Sequence, residues 1–410
     1  MKRVIVVGAG AAGTMAAIFA AEGGADTTLL ERTRDGGRKI LISGGGRCNI
    51  LPSQMDESRF VTDSSPNTLR KILRAWPLRE QIAFFEQDVG IPLKEERESA
   101  KLFPVSDRAR DVRDGLLEMA RRKGVHLQME MAVTGLKREG GSWIVTTQSA
   151  SPLSLTADAV IVASGGLSVP ATGSDGAGLT IVESLGHTIT PPYAALTPLL
   201  SRNKAFSTLA GVSLPVTLDA RADGDLDARA TGGFLFTHHG YSGPAVLDVS
   251  HVAVRSIEKG PARINVQWTT LGEAEWTTAL SPRGSRTVGA AVRAELPTRV
   301  ADVLLDSAGI DPMLVLANLS RRDRIRLIET LVRGPLPWTG HEGYKKAEVT
   351  GGGVNLSEID PKTMESRRCK GLFLCGEILD AFGPIGGYNF FWAWSTGRAA
   401  GKGAAAFFAR

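Results

Sequence analysis

The chain has 410 residues, 43% hydrophobic and 22% charged, a composition that excludes an extended disordered protein. Lys+Arg outnumber Asp+Glu by 48 to 43, and a formal charge of +5 is by itself too weak to imply a nucleic-acid partner. The 47 glycines follow no collagen-like period and gather in short loops, which points to tight phosphate-binding turns.

Residues 3–7 pattern as a buried strand, 11–22 as a helix of small apolar residues, and 26–30 as a second strand ending at Glu31. Met1-Lys2-Arg3 ahead of an apolar run has the outline of a secretory leader, but Gly8, Gly10 and Gly13 interrupt it. Their spacing between a strand and a helix has its own reason. Gly8 permits the tight turn, Gly10 lets the backbone approach a pyrophosphate, and Gly13 lets the helix pack on the sheet, with Ala12 inside the same turn. The helix start offers free N–H groups to phosphate. Glu31, at the end of the second strand, is placed to accept both hydroxyls of an adenosine ribose. These elements predict a βαβ dinucleotide-binding unit.

A long loop is expected over 33–52, with Gly36-Gly37 and Gly44-Gly45-Gly46. Arg38, Lys39 and Arg47 can neutralise a pyrophosphate or an anionic cofactor, and Arg32, Ser43 and Gly45 are candidate contacts in the same stretch. Helical patterns follow near 66–75, 78–89 and 107–123, and strands near 125–134 and 142–148. The strand 159–163 ends in Gly165-Gly166 and is expected to re-enter the nucleotide domain.

The character changes after about residue 190, where prolines punctuate alternating segments at 214–219, 233–237 and 262–268. That reads as a small antiparallel sheet or barrel. Residues 285–333 turn helical, 344–350 reads as a strand returning to the barrel, 372–375 as a strand, and 387–408 as an Ala- and Gly-rich helix. The expected layout is a cofactor domain over 1–190 and 353–410, a β-barrel substrate domain over 191–284 and 334–352, and a helical insertion over 285–333. No run of about 18 apolar residues appears, so no membrane span is expected.

The late strand separates FAD from NAD. In FAD proteins of the glutathione-reductase type, a distant strand ending in Gly and an acid, here Gly376-Glu377, places its carboxylate on the ribityl chain. Gly386, Gly387 and Asn389 then open the last helix, whose N–H groups can meet the negative charge that develops at flavin N1 and the C2 carbonyl. FAD is therefore the expected cofactor. Only one dinucleotide fingerprint exists, so NAD(P)H is expected as a transient co-substrate without a domain of its own.

The stretches SGGGRCN (43–49), TGSDGAG (172–178), FTHHGYSGP (236–244), EVTGGGV (348–354), CGEILD (375–380) and GGYN (386–389) together resemble the bacterial flavoprotein family of aminoacetone oxidase and the BaiN-type bile-acid dehydro-reductase, also called YhiN-like. The resemblance runs over essentially the whole chain. It implies an α/β Rossmann-type FAD-binding domain of the glutathione-reductase kind, an inserted antiparallel β-barrel and a small helical domain. It also implies FAD contacts at Glu31, Arg38, Lys39, Glu377, Asn389 and Phe390, with Val133 as a backbone contact to adenine. The sequence departs from many relatives at Ala381–Ile385 and at Tyr241, so no relative's substrate transfers directly.

His238, His239 and Tyr241 are the candidate proton donors. No carboxylate or cysteine lies at ligand spacing from the two histidines, so no metal is expected. Cys48, Cys369 and Cys375 form no C-x-x-C pair, and a reducing, cytoplasmic setting fits them. Cys48 lacks an identifiable base and is not expected to be reactive. Arg321, Arg322, Arg324, Arg326 and Arg333 read as a solvated helix face, because Asp323 and Glu329 interleave and no aromatic residues accompany them. The chain thus reads as an FAD-dependent oxidoreductase passing a hydride between flavin N5 and a small organic substrate held between the FAD domain and the barrel. The alternatives are an amine oxidase using oxygen and an FAD-stabilised RNA-binding or scaffold protein.

Overall fold

Five parallel strands make the central sheet of the first unit, in the order Leu372–Leu374, Ala159–Val162, Arg3–Val7, Asp26–Leu30, His126–Gln128. The computed structural model describes residues 2–148, 153–224, 226–258 and 260–407 of the chain. It separates into two units, Met1–Tyr193 with Glu348–Arg410, and Ala194–Ala347. In the central strand Val4, Ile5 and Val6 are all buried, as a strand covered on both faces requires. Residues from the two ends of the chain meet here: Val162 pairs with Val7 on one side and with Leu374 on the other.

The first helix, Ala11–Glu22, packs against the last, Tyr388–Ala406. Their approach is close enough that a Cβ on Gly397 would lie 2.4 Å from the Ala12 carbonyl oxygen, and one on Gly401 2.3 Å from that of Ala16. The small-residue composition of both helices is therefore a packing requirement. The expected last residue of the final helix, Phe408, lies outside the described residues.

Three expectations change in the first unit. The strand read over 125–134 is two strands in different sheets: His126–Gln128 joins the parallel sheet, while Ala132–Glu139 pairs with Ser142–Gln148 and then Leu153–Ala157. Glu130, with φ 59°, turns the chain between them. The stretch 33–52 is not all loop, since Arg38–Ile42 is a helix that starts after Gly37 in the left-handed region at φ 70°. The strand expected at 344–350 begins later, as Val349–Val354, and pairs with Ile189–Ala195.

In the second unit, where a barrel was expected, seven strands form an antiparallel sheet built around Ser213–Ala222, Leu226–Phe236 and Arg263–Gln267. The stretch 334–341 pairs at both edges, Gly334 with Val266 and Gly340 with Leu200. Phe206, Phe234, Phe236, Tyr241 and Trp268 form an aromatic core, with Phe236 and Trp268 stacked at 5.9 Å. The helices Val288–Arg293, Thr298–Ser307 and Arg321–Arg333 bury Val292, Leu304 and Leu327 in that same core. The helix Pro244–Ser256 falls where only strands were expected; Pro244 at its start and Val246, Val249, Val252 and Ala253 at helical spacing account for it.

That helix holds a titratable group. His251 is 4% exposed, and burial, helped by Arg255, lowers its pKa to about 4. Its folded pKa therefore lies below the unfolded value of about 6.5, so the unfolded chain takes up a proton first as pH falls. Stability is fully present above about pH 6.5 and declines toward pH 4, by up to about 3 kcal/mol at about 1.36 kcal/mol per unit. Urea midpoints at the two ends of that window should diverge in the native protein and converge in His251→Gln; an unchanged difference in the variant would assign the pH dependence elsewhere.

Candidate functional site

The site begins at the turn between the first strand and the first helix. Gly8 has φ 101°, and a Cβ there would lie 2.7 Å from the Ala163 carbonyl oxygen. A Cβ on Gly13 would lie 1.8 Å from the Gly8 carbonyl oxygen, so the helix can close on the strand only without one. Gly10 differs: a Cβ would meet no atom within 4 Å. Gly10 caps a helix that no side chain caps, which leaves the N–H groups of its first turn without a side-chain acceptor, and the space beside the Gly10 Cα is open. Ala12 is buried beneath this turn and would be struck by a Cβ on Gly376.

Glu31 is 8% exposed at the end of the second strand. Its carboxylate accepts the Ala9 N–H at 2.8 Å, the Thr33 N–H at 2.8 Å and the Thr33 hydroxyl at 2.7 Å. A carboxylate offers about four lone-pair positions, so one remains, and the Thr33 hydroxyl can be exchanged for a ribose hydroxyl. Thr33 was missed by sequence reasoning; an i+2 hydroxyl after an acid is the signal that would have found it. The chain at 130–133 runs alongside, with the Met131 N–H donating to the Glu31 carbonyl at 2.8 Å, which brings Val133 to this end of the site. Arg32 is paired with Asp175 and donates to the Gly173 carbonyl, tying down the TGSDGAG turn. Arg38 is half-buried and paired with Asp35 at 2.8 Å.

The next cluster joins residues far apart in the chain. Lys39 donates to the Glu377 carboxylate at 2.8 Å and to the Ser168 hydroxyl at 2.7 Å. Ser168 donates to the other oxygen of Glu377 at 2.6 Å, which also accepts the Thr350 N–H at 3.1 Å. Burial raises the Glu377 pKa, but the Lys39 ammonium and these hydrogen bonds more than offset it and hold the carboxyl below its ordinary value. Ser168 and Thr350 were not anticipated, because their roles depend on three distant parts of the chain meeting: the loop after Ala159–Val162, the strand Val349–Val354 and the turn after Leu372–Leu374.

The start of the final helix is positioned by backbone fit. Gly387 has φ 91°, and a Cβ there would lie 2.4 Å from the Leu51 carbonyl carbon. Asn389 is committed to its own loop: its amide donates to the Gly383 carbonyl at 2.8 Å and its oxygen accepts the Gly383 N–H at 2.9 Å. Phe390 stacks on Trp394 at 5.3 Å. In the glycine loop, Ser43 donates to the Ile40 carbonyl at 2.8 Å, while Gly45, at φ 67°, lies in the open. Cys48 is fully buried, and burial pushes its thiol up to about 12 against a weaker hydrogen bond to Ser43, so it carries no thiolate at neutral pH.

These residues fit FAD. One end offers an uncapped helix start above a glycine without a side chain, flanked by an acid with a free lone pair. Between Gly8 and Gly178, the Ser164 hydroxyl is buried without a hydrogen-bond partner, an unmet polar group beside the phosphate turn.

In the second unit, His238 and His239 are exposed side by side. Tyr241 is 1% exposed; its hydroxyl donates to the Pro337 carbonyl at 2.9 Å and lies 3.0 Å from the Ser201 hydroxyl. Burial pushes that hydroxyl well above its ordinary pKa. The three expected donors therefore divide into two solvated histidines and one tyrosine held in the core. Among the described residues, no group of three or more His, Cys, Asp or Glu side chains could hold a metal ion, and no helix is long and apolar enough to cross a membrane.

A family model described as HI0933-like protein Rossmann domain matches residues 2–403. The chain is 32% identical to a 3-dehydro-bile acid delta(4,6)-reductase of Clostridium scindens over 99% of both chains. It is 30% identical to a ribosomal RNA dihydrouridine synthase of Escherichia coli, over 96% of this chain and 95% of that one. A protein of the same description from Haemophilus influenzae is 31% identical over 96% of each. Among solved structures, a 3-ketosteroid delta1-dehydrogenase from Sterolibacterium denitrificans superposes with a TM-score of 0.56 at 12% identity, covering 99% of this chain and 100% of that one. An open flavocytochrome c3 fumarate reductase superposes with 0.51 at 16% identity, over 99% and 78%. These two show the fold alone: α/β and Rossmann-like, with parallel and antiparallel sheets. Of these relatives, one is named for a bile acid and two for ribosomal RNA.

Proposed function

Because the chain belongs to the HI0933-like family of FAD-dependent Rossmann proteins, we propose that it reduces a carbon–carbon double bond conjugated to a carbonyl group. The relatives' substrates share that feature. A 3-dehydro-delta(4,6) bile acid has its double bonds in conjugation with a ketone, and the uridine double bond saturated in dihydrouridine is conjugated to a ring carbonyl. The carbonyl draws electrons from the double bond, so hydride adds at the β-carbon and a proton at the α-carbon.

FAD, when bound, supplies the two-electron hydride chemistry. Gly10 and the first turn of the first helix would hold the pyrophosphate, and Glu31 with Thr33 would hold the adenosine ribose. Glu377, oriented by Lys39, Ser168 and Thr350, would accept from the ribityl hydroxyls, and the start of the last helix, Gly387 to Asn389, would offer N–H groups to the flavin ring. His238 or His239 delivers the proton. The seven-stranded sheet, paired at both edges by 334–341, is read as a closed barrel that forms the substrate domain. NAD(P)H is the reductant; with no second dinucleotide fingerprint, it takes turns with substrate at one site.

The single observation that carries this reading is the open helix start at Gly10 joined to the Glu31 carboxylate. Anaerobic stopped-flow tests the rest. NADPH or NADH should bleach the flavin absorption, and a conjugated ketone or a uracil ring should restore it, with parallel double-reciprocal plots. Reoxidation by oxygen alone, with no conjugated carbonyl effective, would replace this reading with the oxidase.

A further inference from the structure

The second unit carries a polar groove that the proposed reduction leaves unused. It lies on the face of the sheet Leu226–Phe236, Ser213–Ala222, Arg263–Gln267 that looks away from the aromatic core. Its volume is about 870 Å³, and Pro261 and Arg333 contribute to its walls. Strand alternation places the lining. Leu218, Ala220, Ile264 and Val266 are buried, so Asp219, Arg221, Arg263 and Asn265, which alternate with them, turn outward. Among the described residues, four arginines line the groove against two carboxylates, Asp219 and Asp223, and no aromatic ring lines it.

The pairing register sets the charges against one another. Arg263 stands directly across from Arg221, and Arg229 directly across from Asp219, on the two strands that flank Ser213–Ala222. Like charges directly opposite on neighbouring strands destabilise a sheet, so the Arg221–Arg263 pair opposes the fold. Asp219 relieves only one of the two: it accepts from Arg221 Nε at 2.7 Å and from Arg221 Nη2 at 3.1 Å. That bidentate contact holds the Arg221 fork in place. Arg333 is committed to Glu273 at 2.8 Å and to Glu329 at 2.6 Å. Among the described residues, the side chains of Arg229, Arg263 and Asn265, and Nη1 of Arg221, have no hydrogen-bond or ion-pair partner. Two unpaired guanidinium groups therefore flank a neutralised Asp219–Arg221 pair, on strands two spacings or about 10 Å apart.

We propose that this groove binds a small organic dianion. One anionic group, a carboxylate or a phosphoryl group, is held by Arg263, the Asn265 amide and Nη1 of Arg221, and the other by Arg229. An anion set between Arg221 and Arg263 replaces their repulsion with two charge-assisted contacts. The volume suits a single small molecule. Without an aromatic platform, the groove selects by charge and hydrogen bonding and not by ring stacking. The site needs neither FAD nor the conjugate reduction, and stands or falls separately from them.

The test is isothermal titration of the FAD-loaded protein, at fixed ionic strength, with adipate, with tetramethylene bisphosphate and with acetate. The first two carry two carboxylates or two phosphates on the same spacer. One equivalent of at least one of them should bind, and the tighter of the two identifies the group recognised. Acetate, which can fill only one end, should bind at least about 10-fold more weakly. Arg229→Gln and Arg263→Gln should each weaken the preferred dianion by about 10-fold to 100-fold and leave the flavin spectrum unchanged. Arg263→Lys keeps the charge without the fork and should recover only part of the affinity. Without ligand, the Tm of Arg263→Gln should equal or exceed that of the native protein, because Arg221 loses its like-charged neighbour. Neither dianion binding, acetate binding as tightly as both, native affinity in either glutamine variant, full recovery with lysine, or a Tm several degrees lower in Arg263→Gln would each overturn the proposal.

Discussion

Gly13→Ala should lower stability by about 3 kcal/mol and remove FAD binding, because its Cβ would sit where the Gly8 carbonyl oxygen lies, 1.8 Å away. The obstacle is backbone on one side and the Ala163 side chain, at 3.1 Å, on the other, so the helix has to move off the strand. Gly10→Ala is the matched control. Its Cβ meets nothing, so the fold should keep its Tm, while the methyl group enters the space offered to the pyrophosphate and FAD affinity falls. Thermal melts and flavin titration of the two apoproteins check both. If Gly13→Ala melts with the native protein, or if Gly10→Ala binds FAD normally, the assignment of this turn is wrong.

Lys39→Met should destabilise by about 2–3 kcal/mol, somewhat under the roughly 3–5 kcal/mol of a fully buried pair, because the Lys39 and Glu377 side chains keep 26% and 18% of their surface. The pH dependence has a defined sign. The folded pKa of Glu377 lies below its ordinary value, so its contribution is present at neutral pH and is lost as pH falls through that folded value. Without Lys39, burial dominates and raises the Glu377 pKa, so the loss should begin at a higher pH. A double-mutant cycle with Glu377→Gln isolates the pair. Strict additivity of the two single effects would mean that Lys39 and Glu377 are not coupled.

What could be read from the sequence was what depends on neighbours in the chain. Gly8, Gly10, Gly13 and Glu31 form a strand, a turn, a helix and a second strand, and short-range sterics leave that order few other uses. The strands 159–163 and 372–375 were legible as buried runs, and both join the sheet that starts at Arg3. Where φ angles rather than hydrophobicity set the boundary, the reading slipped. Glu130 in the left-handed region splits one expected strand into two, and Gly37 starts a helix inside an expected loop.

The rest was decided by tertiary structure, because it joins groups that no local pattern connects. Lys39 and Glu377 are 338 residues apart, and Ser168 and Glu377 are 209 apart, yet one carboxylate accepts from both. Tyr241 has the residue type of an acid, but a core of four other aromatic rings closes around it and its hydroxyl is held by Pro337 and Ser201. Local sterics write the phosphate turn into consecutive residues, whereas a charge's partner and a hydroxyl's freedom are set by whatever the fold packs against them.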